Sequence, residues 1–171
     1  MKVAAVQLTS TGNVAENQEL ALTKIREAAG NGARLIVLPE ATAQNFRSGR
    51  LDEQAQTLEG PFATAIQALA EELEVTVVAG MFCPADTVER EGKTINRVTN
   101  TALIAGPGVL GGYDKIHTYD AFDYRESDTV LAGESLVAFD VDDLIVGVAT
   151  CYDIRFPEQF KELASQGAQL I

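Results

Sequence analysis

The segment Leu144-Ile-Val-Gly-Val-Ala149, continuing as Thr150-Cys-Tyr-Asp-Ile-Arg-Phe-Pro157, limits the fold more than any other stretch. An apolar run of strand length stops at a cysteine, passes through a charged turn and restarts at a proline suited to the first turn of a helix. A strand that ends in a thiol and then turns into a helix presents that sulfur at a sheet edge. Near a helix N-terminus the macrodipole lowers a thiol's pKa. Cys151 therefore reads either as a nucleophile or as a small core residue, since free cysteine is among the most buried residue types.

The rest of the chain supplies the layers such a segment needs. Val3 to Leu8 reads as a short buried strand. Asn13, with Glu16 three residues on, starts a helix that carries Ala21, Leu22, Ile25, Ala28 and Ala29 at helical spacing. Asn31-Gly32 stops it, and Arg34 to Leu38 is a second strand, ended by Pro39. Gly60-Pro61 opens the clearest helix, with Phe62, Ala65, Ile66, Leu69, Ala70 and Leu73 on one stripe. Further strands are expected over Val75 to Ala79, Asn96 to Ile104 and Val109 to Lys115. Leu136 to Phe139 and Leu144 to Ala149 read as a strand pair around the turn at Asp140 to Asp143. Pro157 starts a last helix with Phe160, Leu163 and Ala164. Strands and helices alternate first and a meander follows, which predicts an α/β layered domain rather than a purely parallel wind. No linker or low-complexity tract interrupts residues 1–171, so they read as one domain.

Gly32-Ala-Arg-Leu-Ile36 and Gly167-Ala-Gln-Leu-Ile171 match at four of five positions, and each follows a helix. The second copy stops where the first runs on into a buried strand. The chain is accordingly expected to be a fragment of a longer fold, poorly stable and inactive if it ends at Ile171, with an open apolar sheet edge.

Composition excludes several function classes. The 25 acidic and 13 basic residues give a net charge of −12, unsuited to nucleic acid or an anionic membrane surface. No apolar run reaches the about 18 residues of a membrane span. Gln7 and Thr9 break any signal-peptide layout. Two cysteines make no disulfide framework, so a reducing cytoplasm is expected. A lone histidine with two distant cysteines argues against a structural metal.

Candidate chemistry gathers at strand ends, where α/β sheets bind ligands. Glu40 follows Leu35-Ile-Val-Leu-Pro39 and is either a partly desolvated general base or a solvated loop acid. Lys115, in Gly111-Gly-Tyr-Asp-Lys-Ile-His117, is either an oxyanion stabiliser or a surface lysine. His117 would share a face with Lys115 in an extended segment. It is open to a Cys–His pair or to a structural role. Cys83, with no flanking charge, reads as inert. Arg155 could bind a substrate carboxylate or sit in an ion pair.

Leu35-Ile-Val-Leu-Pro-Glu-Ala41, Tyr113-Asp-Lys-Ile-His117 and Gly147-Val-Ala-Thr-Cys-Tyr-Asp-Ile-Arg-Phe-Pro-Glu158 resemble, in order and spacing, the nitrilase (carbon–nitrogen hydrolase) superfamily. The segment around the cysteine is most similar to the amidase branch that includes ω-amidases and deaminated-glutathione amidases. The resemblance implies a four-layer αββα sandwich, here incomplete at its C-terminus. It implies Glu40 as general base, Lys115 as oxyanion stabiliser and Cys151 as nucleophile. Glu126 would orient the lysine and substrate, and the Tyr152 backbone N–H would share the oxyanion. The implied activity is hydrolysis of a small, carboxylate-bearing amide to acid and ammonia through a cysteine thioester, with no cofactor or metal, in a homodimer or higher homo-oligomer. N-carbamoyl or nitrile hydrolysis would use the same residues. A non-catalytic binding protein that kept the fold is a different class of reading. A flavodoxin-like thiol protein leaves Tyr113 to His117 unexplained. The segment between Lys115 and Glu126 is shorter and more acidic than in ω-amidases, and is expected to line the pocket mouth.

Overall fold

The side chain of Asn13 accepts hydrogen bonds from the backbone N–H groups of Ala15 and Glu16, and this cap starts helix α1, Val14–Gly30. Gly32, at φ +85°, turns the chain out of the helix, while the Ala33 N–H reaches back to the Ala28 carbonyl at 3.1 Å. Helix α2, Pro61–Glu72, begins at the expected proline and buries Phe62, Ala63, Ile66, Leu69 and Ala70. Both helices lie on one face of a sheet, in a core that also holds Ile25, Ile36, Val77 and Leu103. These relations are those of a computed structural model that describes residues 1–171.

Strands β1 (Val3–Ala5), β2 (Leu35–Val37), β3 (Thr76–Arg90), β4 (Lys93–Gly106) and β5 (Val109–Asp114) form that sheet in chain order. The pairs β1–β2 and β2–β3 are parallel; β3–β4 and β4–β5 are antiparallel. Two expectations need correction. The first strand covers only Val3–Ala5 and lies at the sheet edge, with Val3 exposed. The third strand runs 15 residues rather than ending at Ala79. Its outer half, Pro84 to Arg90, is mostly exposed and pairs with β4 across an irregularity between Pro84 and Thr87, so it carries no apolar period.

Alternation along the strands loads the other face with Leu35, Ala102, Ile104 and Tyr113. On them packs the antiparallel pair β9 (Ala138–Val141) and β10 (Leu144–Gly147), through Phe139, Val141 and Val146. Helix α3, Pro157–Ser165, covers the far side of that pair, with Leu163 over Gly147. The order of layers is therefore helix, sheet, sheet, helix. The pentapeptide echo is structural. Gly167 repeats the positive φ of Gly32, the Ala168 N–H reaches the Leu163 carbonyl, and Leu170 bridges Val146 in parallel as Leu35 pairs with Val3.

Two short strands, β6 (Asp120–Ala121) and β7 (Tyr124–Arg125), form a small hairpin, and β8 (Val130–Leu131) pairs in parallel with β4. Between β7 and β8 a single 3-10 turn holds Glu126.

Candidate active site

Glu40, Lys115 and Cys151 each lie just past the end of a strand: β2, β5 and β10, respectively. The fold brings them together. Lys115 Nζ donates to Glu40 Oε1 at 3.1 Å and to Glu126 Oε2 at 2.9 Å, with its side chain only 2% exposed. Glu126 also accepts from the Tyr119 backbone N–H at 2.7 Å. An amide that went unremarked in the sequence, Asn100 of β4, joins the two carboxylates. Its Nδ2 donates to Glu40 at 2.7 Å and to Glu126 at 3.2 Å. An asparagine inside a segment read as a strand, just ahead of the apolar run Ala102 to Ala105, is the signal that could have found it, because a buried amide needs partners. Burial pulls the Lys115 ammonium down, but its bond to Glu126 and the charges of Glu40 and Glu126 outweigh that and hold it above its ordinary value.

Cys151 is separated from the proline-started helix by the charged turn, as expected. It opens a five-residue 3-10 turn, Cys151–Arg155, and adopts φ +51°, a conformation that a residue bearing a Cβ takes up only at a cost of about 1–3 kcal/mol. The expected lowering of its pKa is reversed. Burial pushes the thiol up, the Glu40 charge and a hydrogen bond to Glu40 add to that, and Lys115 opposes them only in part. One short turn carries too little dipole to compete. The sulfur therefore rests as a thiol, on the same cavity as the Glu40 carboxylate.

The turn itself is held by Asp153, which is fully buried and was not singled out from the sequence. Its carboxylate accepts from the backbone N–H of Thr150 at 2.8 Å, from Tyr113 Oη at 2.5 Å and from the backbone N–H of His117 at 3.0 Å. His117 Nδ1 lies 2.8 Å from Asp153 Oδ1, and its ring stacks on Phe156 with centroids 3.6 Å apart. The segment after Asp114 is no longer strand, so the expected shared face with Lys115 does not arise. His117 belongs to the support of the turn. Tyr152 is half-buried, its ring edge-on to Tyr119. Arg155 is exposed, makes no ion pair and does not line the cavity over Cys151.

That cavity measures 480 Å³. Glu40, Lys115, Glu126 and Cys151 lie on it together with Phe46 and Arg47, and the hairpin β6–β7 supplies Ala121, Phe122 and Tyr124. The segment between Lys115 and Glu126 thus does border the cavity. No group of three or more His, Cys, Asp or Glu side chains is arranged to hold a metal ion.

Gly80 sets the place of Glu40. Its N–H donates to the Pro39 carbonyl, its own carbonyl accepts from Ala43, and a Cβ there would fall 2.5 Å from the Ala41 nitrogen and 2.8 Å from the Glu40 carbonyl carbon. The obstruction is backbone, which cannot rotate away. Gly80→Ala is expected to lower stability by about 1–3 kcal/mol and to reduce turnover as Glu40 shifts. Urea unfolding and kcat measured on the same preparation check both parts.

The profile of the carbon–nitrogen hydrolase family matches residues 2–171. A hydrolase from Mycobacterium tuberculosis is 43% identical over 176 residues, taking in 100% of this chain and 59% of that protein. An omega-amidase from Danio rerio is 32% identical over 177 residues, or 99% of this chain and 61% of that protein. Among solved structures, an amidase from Nesterenkonia sp. AN1, caught with acrylamide added at its active-site cysteine, aligns with a TM-score of 0.79. At 21% identity over 99% of this chain and 64% of that one, it speaks to the fold alone. The chain spans about three-fifths of the length of the curated relatives it matches. No helix is long and apolar enough to cross a membrane.

Proposed function

The chain belongs to the carbon–nitrogen hydrolase family, and on that premise we propose that it hydrolyses a small, carboxylate-bearing amide to a carboxylic acid and ammonia, with Cys151 as nucleophile. One observation carries the reading: Glu40, bonded to the ammonium of Lys115, shares one cavity with that lysine and with Cys151.

Chemistry follows from that arrangement. Glu40 takes the thiol proton as sulfur attacks the amide carbon and the carbonyl electrons move onto oxygen. The oxyanion is met by Lys115, kept charged by its two carboxylate partners, and by the Tyr152 backbone N–H. As the tetrahedral species collapses, the carbon–nitrogen bond breaks and protonated Glu40 gives its proton to the nitrogen, releasing ammonia and leaving a thioester. Glu40 then draws a proton from water, whose oxygen attacks the thioester. Collapse of this second adduct returns the proton to sulfur and frees the acid. Glu126 and Asn100 hold Lys115 and Glu40 in place throughout.

Selective alkylation tests the nucleophile. Iodoacetamide is expected to modify Cys151, which is exposed, faster than half-buried Cys83. Because the Cys151 thiol lies above its ordinary 9.0, its labelling rate should keep climbing as pH passes that value. Peptide mass mapping of the two sites over a pH series reads both. Equal labelling of the two cysteines would remove the support for Cys151.

A further inference from the structure

We infer that Arg47 is the specificity-determining residue that receives the carboxylate of the substrate, an assignment that rests on the amidase reading above. Four charged side chains line the cavity over Cys151: Glu40, Lys115, Glu126 and Arg47. Lys115 is already bonded to both carboxylates, so these three groups together leave one formal negative charge. An anionic substrate entering such a cavity, in a chain of net charge −12, is repelled unless another cation faces it. Arg47 is that cation.

It is also free to act. Arg34, Arg50, Arg90, Arg97 and Arg125 each pair with a carboxylate, and Arg47 pairs with none. Arg26 and Arg155 are unpaired too, but neither borders this cavity. The backbone that carries Arg47 is built rather than loose. Asn45 Oδ1 accepts from the Arg47 N–H at 2.8 Å, and Asn45 itself is tied to the carbonyls of Ser10 and Thr11. The neighbouring Phe46 ring meets Phe82 edge to face at 5.2 Å. A planar guanidinium on a fixed turn suits two parallel hydrogen bonds to a carboxylate, which a lysine in the same place would not match. The substrate class that fits is a short monoamide of a dicarboxylic acid, its amide over Cys151 and its acid at Arg47.

The test uses the full-length protein and two amides of equal chain length, glutaramate and pentanamide. The reading is the ratio of their kcat/KM values, which is insensitive to the fraction of enzyme folded. Wild type should prefer glutaramate. In Arg47→Gln the preference should fall about 10- to 100-fold, through KM for glutaramate, with partial recovery in Arg47→Lys. An unchanged ratio in Arg47→Gln overturns the assignment while leaving the amidase reading standing. A wild-type enzyme that hydrolyses neither amide overturns both.

Discussion

Replacing Cys151 by alanine is expected to reduce amide turnover at least about 10⁴-fold, with little change in unfolding midpoint. The size of the loss follows from the route. Without sulfur there is no thioester, and the remaining groups can only polarise a bound amide toward water. Stability should hold because Cys151 borders an open cavity, so truncation leaves no enclosed void, and alanine bears the same φ +51° strain as the residue it replaces. Steady-state kcat/KM on a monoamide, set beside a thermal melt, separates lost chemistry from lost folding. Residual turnover above a hundredth of wild type would point to another nucleophile.

Lys115→Ala is expected to be damaging twice over. The side chain is 2% exposed and bonds to Glu40 and Glu126, so its removal leaves two carboxylates facing each other with no cation between them. Breaking a buried ion pair from one side costs about 3–5 kcal/mol. Turnover should fall by about 10²- to 10³-fold, the usual loss when one oxyanion donor is removed. The stability cost itself depends on pH. Lys115 has a folded pKa above its ordinary 10.5, so its contribution is complete below that value and is lost as pH rises beyond it. Denaturant unfolding of both proteins across pH reads the difference.

The strand-end positions of Glu40, Lys115 and Cys151, which the fold brings to one cavity, were readable because a strand's end is a local property, whereas the roles proposed for them came from the family resemblance. Asn13 and Pro61 fixed their helix starts for the same reason. What escaped the sequence depends on register or on distant chain. Asn100 meets Glu40 across 60 residues because β4 lies beside β3, and nothing near Asn100 announces that partner. The direction of the Cys151 shift depends on burial and on Glu40, more than a hundred residues away, whereas the motif alone suggests a helix dipole. Arg155 is close to Cys151 in sequence and points elsewhere, while Arg47 is distant in sequence and shares its cavity. Gly80 resembles any strand glycine until the Glu40 backbone is seen against it.

The central claim is that catalysis passes through a bond between substrate carbon and the sulfur of Cys151. Mixing the full-length enzyme with a monoamide, quenching in acid within the first turnovers and mapping the peptides by mass spectrometry tests it directly. The account predicts an added mass equal to the substrate less ammonia on the peptide bearing Cys151. Turnover that continues with Cys151 unmodified at every quench time, or an adduct carried by Cys83 instead, would contradict it.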